Sequence, residues 1–220
     1  MIEFQWHYIL EIAFALVFTY FFIKKTRPRI TFLFLGYLFF LINVIIQFPF
    51  RYLQKLIMPY FSAESLIPMI IITLAIIVIS QFTKYFSLKR FLRTRSYKNG
   101  ILFGIGWSTV ESISLFTITF FSYLFTILPF SFDYSYAIAK QMPFLSFIYF
   151  FVVNIATTVF VVISIIKDKG FYLVLAILFQ AFVLIGINLI TSFSQDLMLI
   201  ITFVISLGII FRFNSVKNIK

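Results

Sequence analysis

The feature that most constrains this chain is the recurrence of apolar stretches of membrane-crossing length, separated by short breaks that carry charges or prolines. They fall near 5–23, 30–50, 65–82, 101–128, 144–166, 171–190 and 195–211. A helix of about 20 apolar residues crosses the hydrocarbon layer. Seven such spans occupy most of the 220 residues and leave too little chain for a soluble catalytic domain. With 62% hydrophobic residues, 34 phenylalanines and 11% charged positions, a water-soluble core is excluded. Hydrocarbon obliges each span to satisfy its own backbone, and the alternating pattern of a barrel is missing. The expected fold is therefore all-α: a polytopic transmembrane helical bundle of about seven spans, forming one domain over 1–220 in the cell membrane. Only fifteen residues separate Asp196 from Arg212, so the seventh helix either starts before Asp196 or meets a locally thin bilayer.

Orientation follows from the 18 basic residues. Lys24, Lys25, Arg27 and Arg29 follow span one, and Lys84, Lys89, Arg90, Arg93, Arg95 and Lys98 follow span three. Lys167 and Lys169 follow span five, and Arg212, Lys217 and Lys220 close the sequence. The other face receives only Arg51, Lys55 and Lys140, together with Glu3, Glu64, Asp133 and Asp196. The positive-inside rule then predicts an external amino terminus and a cytoplasmic carboxyl terminus. Span one is expected to stay in the mature chain, because Glu3 rather than a lysine cluster precedes it and no small-residue cleavage site follows. The +11 charge is thereby explained by topology and attraction to anionic lipid, and nucleic acid is not an expected partner.

Several chemistries are excluded outright. Without cysteine there is no disulfide scaffold, thiolate metal site or thiol nucleophile, and one histidine cannot form a His pair. That residue, His7, shares a helix face with Glu11 at ligand spacing, but beside Trp6 and Tyr8 it reads as an interfacial anchor. Neither a metal nor a cofactor is expected.

Side chains that are costly to place in hydrocarbon carry the remaining information: Glu11, Asn43, Gln47, Glu111, Asn154, Gln180 and Asn188. Counting helical rise from the cytoplasmic end of each span puts Glu11, Asn43 and Asn154 at about 20 Å, Glu111 at about 16 Å and Gln180 at about 15 Å. Five spans thus bring a polar group near the midplane. Amides at such depth commonly join helices, whereas a carboxyl group must take a proton or find a cation. Gly100, Gly104 and Gly106 read as close-packing positions between helices rather than as a phosphate loop.

The stretch GILFGIGWSTVESISL, from Gly100 to Leu115, resembles the Gly-x-Gly-His-Gly-Gly-x-Glu element of the YhfC family, polytopic proteins regarded as intramembrane metalloprotease-like. FLFLGYLFFLINVIIQFPFR, from Phe32 to Arg51, is similar to that family's second span, and the segment from Asn154 to Phe182 takes the place of two helices that each bring a histidine. The likeness covers about residues 24 to 190. It implies that the family's glutamate falls on Glu111, while its histidines fall on Trp107, Asn154 and Gln180, so that the metal-binding imidazoles are replaced.

The resulting expectation is a degenerate member of that group. Its buried core, with Glu111 at the catalytic position and Asn154, Gln180, Glu11 and Asn43 as binding residues, would take a membrane partner or lipid. In that scheme a protonated Glu111 donates to the carbonyl of Asn154 or Gln180. Two alternatives remain open: an intramembrane peptidase using Glu111 with an altered site, and a proton or cation transporter with Glu11 and Glu111 as relay.

Overall fold

A computed structural model describes residues 7–57, 66–91, 96–124, 143–189 and 192–215. Among them the chain forms seven helices: α1 His7–Thr26, α2 Thr31–Ile57, α3 Leu66–Phe91, α4 Tyr97–Leu124, α5 Pro143–Lys167, α6 Phe171–Leu189 and α7 Ser192–Ser215. Three contain stretches long and apolar enough to cross a membrane: Thr31–Phe50, Ile70–Phe91 and Ile148–Lys167. Phe171–Ile185 and Ile200–Ile210 are shorter apolar stretches. The all-helical class agrees with the sequence pattern, and α7 starts ahead of Asp196.

One boundary departs from expectation. The third apolar stretch was expected to end at 82, with Lys84 opening a charged loop; instead α3 continues to Phe91 and α4 begins at Tyr97. The helix can carry on because Lys84 finds partners inside the protein, and the Thr83 and Ser87 hydroxyls are satisfied within it by the carbonyls of Ile79 and Thr83.

Register contacts fix how the helices run. Asn43 of α2 meets Ser80 of α3, and Gln47 meets the Ile76 carbonyl, so these two helices are antiparallel. Gly100 lies against Val162 and Gly104 against Thr158, while Ser108 reaches the Phe151 carbonyl; α4 and α5 are therefore antiparallel too. The Lys98 ammonium donates to the Thr26 carbonyl, and Asn99 Oδ1 accepts the Arg29 amide, tying the end of α1 and the start of α2 to the start of α4. The end of α3 and the α5–α6 turn consequently lie at that same end of the bundle. Lys24, Lys25, Arg27, Arg29, Lys89, Arg90, Lys167 and Lys169 are all exposed there.

The turn between α5 and α6 has a clear cause. Asp168 adopts a left-handed conformation with φ 51°, and the Lys169 amide bonds the carbonyl of Ser164, five residues earlier, a Schellman closure. The Ser164 hydroxyl donates to the Lys169 carbonyl and fixes the exit. At the end of α1, Arg27 is left-handed as well, at φ 47°, with Pro28 next.

α5 is the centre of the bundle, packing against α1, α3, α4, α6 and α7. Its apolar stretch is 78% buried, against 33% for that of α2 and 28% for that of α3. Outside, large apolar side chains such as Phe21, Ile45, Phe86 and Phe182 are exposed, a surface suited to acyl chains rather than water. Small residues set the closest helix approach. A Cβ on Gly36 of α2 would collide with the Phe103 carbonyl and stand 2.8 Å from the Trp107 amide nitrogen, and one on Gly106 would collide with the Leu33 carbonyl. In hydrocarbon, such backbone-to-backbone packing supplies association that apolar side chains alone do not.

Gly36→Ala and Gly106→Ala are each expected to destabilise the protein by about 1–3 kcal/mol, because rigid backbone must move. Gly208, around which a Cβ would meet nothing within 4 Å, is the control. Unfolding in detergent micelles should separate the first two variants from Gly208→Ala; equal behaviour of all three would contradict the crossing.

Candidate functional site

On α3 the side chains Ile77, Gln81, Lys84 and Leu88 recur at helical spacing and are all essentially inaccessible. The stripe is thus turned wholly inward, and it carries a lysine. An ammonium inside an apolar bundle is costly unless partners replace its hydration. Lys84 has such partners. Its Nζ lies 3.3 Å from Asn154 Oδ1 and 3.4 Å from Thr157 Oγ1, both on α5. It also stands 4.9 Å from the centroid of the Trp107 ring of α4, a cation–π contact. The charge of Glu111, also on α4, acts on it electrostatically.

The other end of the Asn154 side chain completes the set. Asn154 Nδ2 donates to Glu111 Oε2 at 2.7 Å, so one amide presents its oxygen to a cation and its nitrogen to a carboxylate. Only this rotamer of the amide suits both neighbours. The Asn154 backbone carbonyl is held in turn by the hydroxyls of Thr157 and Thr158, at 3.0 and 2.7 Å. Antiparallel packing of α4 on α5 sets the spacing, with Gly104 allowing Thr158 to sit close to α4. Lys84, Asn154, Thr157 and Trp107 are buried, whereas Glu111 is half-buried, so the carboxylate is the accessible edge of the network.

The residues expected to form one polar layer divide into groups. Asn154 and Glu111 do meet. The bond between them runs opposite to the expected direction, with Glu111 accepting, because the Asn154 carbonyl is already engaged by Lys84. Gln180 of α6 meets Gln81 of α3 through a side-chain hydrogen bond. Asn43 joins α2 to α3, accepting from Gln47 at 3.2 Å and donating to Ser80 at 3.4 Å. Glu11 lies on α1, with its side chain outside the described residues. A further pair, Thr202 of α7 donating to the Tyr149 hydroxyl of α5 at 2.8 Å, is buried on the other side of α5.

Lys84 is the functional residue that sequence reasoning missed. Its nearness to Lys89 and Arg90 made it read as a loop charge that obeyed the positive-inside rule. The signal was the spacing Ile77, Gln81, Lys84 and Leu88, which continues the buried face of α3 past the apolar stretch.

The donor set does not fit zinc. Trp107 has no lone pair to offer, the Asn154 oxygen holds an ammonium, and Gln180 is committed to Gln81. A second cation beside Lys84 would be repelled by it. Among the described residues no cluster of three or more His, Cys, Asp or Glu side chains could hold a metal ion. No family model, no curated protein and no solved structure matches the chain. What the fold and site define is a helical protein, with helices able to cross a membrane, built around an internal ammonium–amide–carboxylate bridge.

Lys84→Met should destabilise the fold by about 1–3 kcal/mol, since it leaves the buried Asn154 oxygen without its donor. Asn154→Leu, which deprives both ions of hydrogen bonds at once, should cost more than Asn43→Leu. Denaturation in mixed micelles checks both; an unchanged midpoint for Lys84→Met would contradict the site.

Proposed function

We propose that the chain is a seven-span protein of the cell membrane, amino terminus outside and carboxyl terminus cytoplasmic, and a degenerate relative of the YhfC group. It binds a membrane partner or lipid at its polar core and does not hydrolyse it with zinc. The observation that carries this reading is the Asn154 amide, saturated by Lys84 on one side and Glu111 on the other. Two of the three positions that the resemblance assigns to histidines, Trp107 and Asn154, here surround an ammonium supplied by the chain itself. The half-buried Glu111 carboxylate is the accessible edge of the network. A transmembrane segment or lipid presenting a neutral donor suits it, because Lys84 already balances its charge.

The topology draws support from the concentration of exposed cations at the end of the bundle that holds the α1–α2 and α5–α6 connections. A proton-relay reading has one observation in its favour, the presence of two ionisable groups inside the bundle. The amide between them opposes it, since Asn154 holds each ion but cannot pass a proton from one to the other without changing its own bonding.

The purified protein should carry well under one equivalent of zinc by elemental analysis; tight stoichiometric zinc would overturn the reading. Photocrosslinking from a probe beside Glu111 should capture a membrane component, and Glu111→Leu should lower the yield several-fold. Because the chain has no cysteine, single-cysteine labelling reports topology directly. Lys169→Cys should react only from the cytoplasmic side, and labelling from outside would reverse the orientation.

A further inference from the structure

Gln81 of α3 stands three residues before Lys84 on the same inward stripe and is itself inaccessible. Its Nε2 donates to Oε1 of Gln180, a half-buried residue of α6. Its own Oε1 is buried and has no hydrogen-bond partner among the described residues. Interchanging oxygen and nitrogen in both amides would only turn an acceptor without a donor into a donor without an acceptor. In either orientation the inner end of the Gln81 amide needs a group that no neighbouring side chain brings to it. A buried polar atom left in that condition is costly.

The neutral donors of α5 are committed elsewhere. The Thr157 and Thr158 hydroxyls both donate to the Asn154 backbone carbonyl, and Asn154 Nδ2 donates to Glu111. Lys84 differs, because its ammonium has three protons and gives two of them, to Asn154 Oδ1 and Thr157 Oγ1. The Trp107 face attracts the charge as a whole and needs no proton aimed at it. One N–H of Lys84 therefore remains, three positions along the helix from an acceptor that also remains. Side chains so spaced are neighbours, with about 5–6 Å between their Cβ atoms. The ammonium does not itself bond Gln81 Oε1. A single water, accepting on one side and donating on the other, joins two groups about 5 Å apart.

We propose that Gln81 and Lys84 form a buried binding site for one water molecule, which donates to Gln81 Oε1 and accepts from the Lys84 ammonium. The water supplies the amide with its missing partner and the ammonium with its third. It also joins two groups of polar residues that side chains alone leave apart. One hydrogen-bonded line then runs from Gln180 of α6 through Gln81, the water, Lys84 and Asn154 to Glu111 of α4. The site is independent of what meets Glu111 at the accessible edge, since both of its protein groups are inaccessible.

Crystallography of the full chain in a lipidic mesophase, at a resolution that shows ordered water, tests this. A water peak should lie within about 2.7–3.2 Å of both Gln81 Oε1 and Lys84 Nζ. Gln81→Met, which keeps the length of the side chain and removes its acceptor, should lose the peak while Lys84 stays on Asn154. Three results would overturn the proposal. The first is a reciprocal amide pair, with Gln180 Nε2 donating to Gln81 Oε1 and no water beside it. The second is a direct bond from Lys84 to Gln81 Oε1. The third is a peak that persists unchanged in Gln81→Met, which would assign the water to Lys84 alone.

Discussion

The structure depends on the cost of a charge in hydrocarbon. Lys84 sits where water cannot reach it, and the interior of the bundle is arranged so that this ammonium is not alone. An oxygen from Asn154, a hydroxyl from Thr157, the face of Trp107 and the charge of Glu111 come from two helices and converge on a third. Removing water from such a set strengthens each interaction and raises the penalty for breaking any of them. The same low dielectric that makes Lys84 expensive makes its partners specific, and α3, α4 and α5 are held in one register by it.

Glycine and aromatic packing make that convergence possible. Gly36 and Gly106 let α2 and α4 touch along their backbones, and Gly100 and Gly104 bring α4 onto α5 at Val162 and Thr158. Trp107 is thereby pressed between Phe40, at a ring distance of 5.6 Å, and Phe103, at 6.1 Å, which orients the indole toward Lys84. α1 closes the α5 side with Phe14 and Phe18 set edge-on against Phe151. Helix approach, indole orientation and charge pairing are thus successive consequences of where small residues lie.

Much of the helical architecture was legible because apolar run length and charge breaks are direct consequences of burial in lipid. The contact between Glu111 and Asn154 was legible for a similar reason: helical rise alone placed both near one depth. The grouping of the polar residues was not. Depth says nothing about rotation, so Gln180 meeting Gln81, and Asn43 meeting Ser80, required the helix faces to be known. Lys84 escaped because hydropathy windows end at the first charge, whereas a helix ends only where its backbone loses partners. The direction of the Asn154–Glu111 bond could not be read without Lys84, whose presence decides which end of the amide faces the carboxylate.

The central claim is that Lys84 and Glu111 stabilise one another across Asn154 inside the folded bundle. A double-mutant cycle with Lys84→Met and Glu111→Gln, read by reversible unfolding in mixed micelles, tests it most directly. The account predicts that each single change is costly and that the double variant recovers stability, giving a coupling of about 1.5 kcal/mol or more. Losses that add within about 0.5 kcal/mol would mean that the two groups do not sense each other, and would contradict the account.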